Sequence, residues 1–236
     1  MNLASKRLLA VALFAGALSA SGSASAAKKI SPALQFRQDV TEYVTCLIEK
    51  ERSVMVTYVA ERTGDIARLL HTNCLSRAAG GRLNRPGERI DTAVWVGLAA
   101  ERLLREIDLS TVDTLLPGAP AIDHGEPMTV EKMSPKSKLS KAEKEVWVAS
   151  VNRKRTFDML AECLVRKNAG LSRRVFLSDY GSDAESAALN EMMAIRSECA
   201  SIELSVVNPR SLRVYLASNY AHLAGLADPS FKEKLL

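Results

Sequence analysis

Histidine is scarce in this chain of 236 residues: there are three, His71, His124 and His222. They form no His-x-x-x-His or Glu-x-x-His pair, the helical spacings that build zinc and di-iron centres. The four cysteines include no Cys-x-x-Cys and no Cys-x-x-Cys-His, which speaks against a zinc site, a thioredoxin-like redox centre and a c-type haem. A Gly-x-Ser-x-Gly elbow is absent, as are a glycine-rich phosphate loop, a dinucleotide fingerprint and a calcium loop. The carboxylate pairs Glu61–Asp65 and Asp179–Asp183 fall at expected helix boundaries, where capping accounts for them. Catalysis therefore has no support in the sequence, and no cofactor or metal is expected. Long strand-like alternation is missing too, so the fold class is all-α.

Long apolar runs are also rare, and the one at the start reads as an address. Lys6 and Arg7 precede the unbroken stretch Leu8–Leu18, and Ala24-Ser25-Ala26 follows as a small-x-small cleavage site. Eleven residues rise about 16 Å as a helix against a hydrocarbon core of about 30 Å, too little for an anchor. Residues 1–26 are thus expected to be a signal peptide, with the rest periplasmic or secreted and without a transmembrane anchor.

What is present is an internal duplication. Val40, Tyr43, Val44, Cys46, Leu47, Ile48 and Lys50 correspond to Phe157, Leu160, Ala161, Cys163, Leu164, Val165 and Lys167, always 117 residues later. Val54, Tyr58 and Val59 continue the pattern and match Leu171, Val175 and Phe176. A second cysteine follows each copy, Cys74 and then Cys199, and each copy closes on an apolar helix-like segment. The matched positions, together with export to an oxidising compartment, predict disulfides Cys46–Cys74 and Cys163–Cys199. Their loops span 28 and 36 residues, so each bond stabilises by about 3–4 kcal/mol on the loop-entropy argument.

The expected layout is a short tail at 27–37, a first helical unit at 38–106, a connector at 107–153, a second unit at 154–225, and a C-terminal tail at 226–236. Asp65 would cap a short helix Ile66–Asn73, and Ile90–Leu104, apolar nearly all round, would be central to its unit. In the second unit Tyr180-Gly181-Ser182-Asp183 is a turn and N-cap signal for a helix running through Arg196. Asn208-Pro209 opens the last helix, whose stripe is Leu212, Tyr215, Leu216, Tyr220 and Leu223. Trp95 and Tyr215 read as core packing. The connector, with Pro117, Pro120, Pro127 and Pro135, should be irregular but lean on the units through Leu115, Leu116, Val130 and Met133. A helix should resume at Ala142–Val151.

The formal net charge is +5, or +3 once Lys6 and Arg7 are removed. Between Glu131 and Arg155 there are eight Lys/Arg against three Glu, so the rest of the exported chain is slightly acidic. The strings Cys46-Leu47-Ile48-Glu49-Lys50 and Ala161-Glu162-Cys163-Leu164-Val165-Arg166-Lys167, each followed by a later cysteine and an apolar helix, resemble a group of exported helical proteins of alphaproteobacteria with a duplicated Cys-Leu-x-x-Lys unit. The resemblance implies a bacterial envelope location and brings no activity, ligand or site residue. The expected function is that of an exported helical binding or scaffold protein, monomeric or weakly associating. Lys136, Lys138, Lys141 and Lys144 would contact an anionic envelope component or another envelope protein, not nucleic acid. The competing reading is an envelope hydrolase whose site assembles from residues distant in sequence.

Overall fold

The apolar stripe that begins at Val40 lies on a single 30-residue helix, α1 (Pro32–Glu61), which buries Val40, Tyr43, Val44, Leu47 and Ile48 on one face. The computed structural model describes residues 31–63, 73–74, 91–134, 138–199 and 209–236, and every regular element among them is helical. The expected helix Ile66–Asn73 lies, but for Asn73, outside the described residues. Two-thirds of the way along, α1 bends at Glu51, whose backbone leaves the helical region (φ −135°, ψ 43°), then continues with Met55, Val56 and Val59 buried. Burial overrides the weak strand preference of these β-branched residues, which is worth only tenths of a kcal/mol each.

Helix α2 (Thr92–Leu104) starts at Asp91, whose carboxylate accepts a hydrogen bond from the Ala93 N–H at 3.0 Å. Ser140 and Glu143 form a capping box for α3 (Lys141–Lys167). Asn168 ends that helix and caps α4 (Ala169–Leu177) through the Leu171 N–H. Gly181, at φ +77°, turns the chain so that Ser182 caps α5 (Asp183–Ile195), which relaxes into a 3-10 turn at Arg196–Cys199. The centre is α6 (Pro209–Ala227), with Leu212, Leu216, Ala217, Tyr220, Ala221 and Leu223 all fully buried. The last residues, read from the sequence as a tail, include α7 (Phe231–Leu235). It packs on α1 and fully buries Phe231 and Leu235.

Helix α2 packs on α6, α1 flanks α2, and α3 flanks α6. The two helices α2 and α6 approach closely because Gly97 has no side chain: a Cβ there would lie 2.7 Å from the Cα of Val214. Apolar residues from 38–106 and from 154–225 join one continuous core. Several landmarks keep the 117-residue spacing. The breaks at Glu51 and Asn168 do so, as do the first residues of α2 and α6, Thr92 and Pro209. Gly97 and Val214, which meet where the helices cross, are themselves 117 apart. The match is looser at the first stripe position, where Val40 is fully buried and Phe157 half-buried against Tyr215.

Both disulfides form as expected, Cys46–Cys74 and Cys163–Cys199, with Cα–Cα distances of 5.6 and 5.8 Å in the ordinary range. A further constraint comes from buried charge. Arg213, 1% exposed, donates to Glu101 at 2.9 and 3.0 Å, to Glu185 at 2.7 Å, and to the carbonyls of Phe176 and Ser178. Arg37 completes the set by reaching Glu101 at 2.6 Å while lying over the Tyr180 ring.

Candidate functional site

Spacings of three and four residues put Asn152, Arg155, Asp158, Glu162 and Arg166 on one face of α3. Against that polar stripe the connector runs as an antiparallel strap. Arg166 donates to the Ala119 and Pro120 carbonyls at 2.6 and 2.5 Å, and Glu162 accepts from the Ile122 N–H at 3.1 Å. Arg155 donates to the Gly125 carbonyl at 2.9 Å, and the Asn152 amide pairs with both backbone groups of Met128. Beyond two short 3-10 turns, Val112–Thr114 and Leu116–Gly118, this proline-bearing segment thus satisfies its backbone on side chains. Its apolar anchors are Leu109, Val112, Leu116, Ala119 and Ile122. Of the four expected, Leu116 is buried, Val130 and Met133 are partly so, and Leu115 is exposed.

His124 pins the strap. Its Nδ1 lies 3.2 Å from Asp158 and its Nε2 2.5 Å from Glu162, so the imidazolium form satisfies both nitrogens as donors. Burial works against that charge, but the two carboxylates outweigh it and hold the His124 pKa above the ordinary value. Asp158 is held by two more partners. The Arg62 guanidinium grips it at 2.7 and 3.1 Å, and the buried Asn219 amide donates at 2.7 Å. Despite desolvation, these partners keep its pKa well below the usual carboxylate range. Glu162 is likewise lowered, because His124, the Ile122 N–H and Arg166 together outweigh its burial. Arg62 reaches this point because it ends α1 in the left-handed conformation (φ +55°). Nearby, His222 hydrogen-bonds the Ala60 carbonyl through Nδ1 at 2.8 Å, and burial holds its pKa down.

Beside this network lies a groove made of two adjoining pockets that share Lys154 and Tyr215. The smaller, about 220 Å³, is lined by Tyr58, Ala93, Val96 and Ser218 with Arg62, Lys154, Arg155 and Asp158. The larger, about 390 Å³, is lined by Phe36, Phe157 and Tyr180 with Arg37, Arg153 and Asp91. Five cations therefore face two carboxylates along the groove. Arg37 and Arg62 are engaged as described, and Lys154 pairs with Asp91 at 2.6 Å. Arg153 and Arg155 have no carboxylate partner among the described residues. The aromatic walls are braced, since Tyr58 stacks on Trp95 and Tyr215 on Phe157.

Of the lysines singled out from the sequence, Lys136 lies outside the described residues. Lys138 and Lys141 are exposed and Lys144 half-exposed, at the start of α3 beside the exposed Val146 and Trp147. The structure separates these lysines from the groove, but brings the end of the same basic tract, Arg153-Lys154-Arg155, into it. Tyr215, read as core, is a groove wall. The roles of Arg62, His124, Asp158, Glu162 and Asn219 left no sequence signal, because their partners lie 34 to 157 residues away. Chemically the cluster holds charge rather than moving protons. Both nitrogens of His124 are occupied, and Asp158 is locked as a carboxylate, so neither is poised as a general base or acid. Among the described residues no group of three His, Cys, Asp or Glu side chains is arranged to hold a metal, and no helix is long and apolar enough to cross a membrane. Comparison of the chain with protein families, curated proteins and solved structures finds no match.

Proposed function

We propose that this is an exported helical protein that acts by binding an anionic partner, and that the basic tract makes the contact. The observation that carries the reading is the groove. Cations outnumber carboxylates there, two arginines lack a carboxylate partner among the described residues, and aromatic walls supply apolar area beside the charge. Export rests on the leader-like first 26 residues, and two disulfides suit an oxidising compartment. The same reading takes residues 38–106 and 154–225 as two copies of one unit facing each other across the Gly97–Val214 crossing.

The test is capture of anionic components from envelope extract by the purified protein as salt rises from about 0.1 to 0.3 M, where the Debye length falls below about 10 Å. Capture should weaken steeply. Arg153→Gln with Arg155→Gln should abolish groove-mediated capture, and Lys136, Lys138, Lys141 and Lys144 changed to Gln report the contribution of the exposed turn. Salt-insensitive capture, or hydrolytic turnover by the purified protein, would overturn the proposal.

A further inference from the structure

We infer that the smaller pocket is a site for one ring-bearing organic carboxylate, whose carboxylate is taken by Arg155. This rests on the binding reading above and names the class of ligand. Size limits the occupant first. An apolar cavity of about 150 Å³ holds benzene, and pockets for drug-sized ligands begin near 300 Å³. At about 220 Å³ the pocket takes a single ring with its substituents, not a polymer segment.

The lining selects a ring. Tyr58 and Tyr215 contribute aromatic surface and Ala93 and Val96 aliphatic surface, and both tyrosines are fixed by stacking on Trp95 and Phe157 at centroid distances of 5.5 and 5.4 Å. Walls already held in place are not ordered at the cost of binding. Charge selects the anion. Arg62 is committed to Asp158 and Lys154 to Asp91, whereas Arg155 uses Nε on the Gly125 carbonyl. Its two terminal amino groups have no partner among the described residues, which leaves a planar fork matched to a carboxylate.

Ser218, nine-tenths buried, lines the same pocket, and with Tyr58 and Tyr215 it brings three hydroxyl-bearing side chains to one small space, which suits a ligand with polar substituents.

The test is calorimetric titration of the mature protein with benzoate, with benzamide as the neutral isostere and acetate as the ringless anion. Benzoate should bind saturably, with benzamide and acetate each weaker by at least about tenfold. Arg155→Gln should weaken benzoate by a similar factor while the far-ultraviolet circular dichroism of the helices stays that of wild type, since its other bond, to the Gly125 carbonyl, holds the strap and not a helix. Equal binding of acetate or benzamide, or undiminished benzoate binding by Arg155→Gln, would refute the assignment. Failure of benzoate alongside salt-sensitive capture of envelope anions overturns this site and spares the broader reading; benzoate binding without such capture does the reverse.

Discussion

The stability that His124 contributes should fall as pH rises above the ordinary histidine value of 6.5, and replacing it should remove that slope. The ring bridges Asp158 at 3.2 Å and Glu162 at 2.5 Å, and each carboxylate keeps other donors when it is gone. A hydrogen bond to a charged group contributes about 1.5–3 kcal/mol, and residual partners blunt the loss, so His124→Gln should cost about 2–4 kcal/mol at pH 6. Because the folded pKa is raised above the ordinary 6.5, the contribution is complete below that value and disappears as pH climbs through the folded pKa. Asp158 and Glu162 are lowered, so what they add is present above their ordinary values and is lost in acid. Buried His222, held down, subtracts stability below its ordinary value, and it does so equally in both proteins. Urea unfolding of wild type and His124→Gln between pH 6 and 8.5 isolates His124 as the difference between the curves. That difference should shrink as pH rises. A constant difference, or none at pH 6, would show that the strap is not held by the imidazolium.

Gly97→Ala sets two magnitudes against each other: helix propensity favours alanine by about 0.5–1 kcal/mol, while overpacking against Val214 costs about 3 kcal/mol. A lower urea midpoint is expected, and a higher one would deny the close crossing. Arg213→Leu leaves Glu185 without its cation in the core and Glu101 with Arg37 alone, and chemical denaturation should register a loss of about 3–5 kcal/mol, partly restored by adding Glu185→Gln. Peptide mapping without reductant should recover Cys46 with Cys74 and Cys163 with Cys199, and converting the second pair to alanine should cost about 3–4 kcal/mol in the same unfolding assay. Phe231→Ala should lower stability by about 3–5 kcal/mol if the C-terminal helix is integral to the core, whereas a dispensable tail would leave the melting curve unmoved.

The helical class, the cap at Ser182, the stripes of α1 and α6 and both cysteine pairs were legible in the sequence. Each depends on local chemistry or on spacing: a 3.6-residue period marks a buried face, a short polar side chain satisfies the first free N–H groups, and matched cysteines repeat with their unit. What the sequence could not announce is how the segments share one interior. That Gly97 meets Val214, that Arg213 is buried between Glu101 and Glu185, and that the connector lies along α3 under His124 follow from the packing of α2 on α6 and of α3 beside it. The groove has the same origin. Arg153 and Arg155 look like ordinary members of a solvated basic tract, and Tyr58 and Tyr215 like core residues. Only the tertiary arrangement brings charge and ring into one small space, because side chains far apart along the chain acquire a common surface only when the helices that carry them pack.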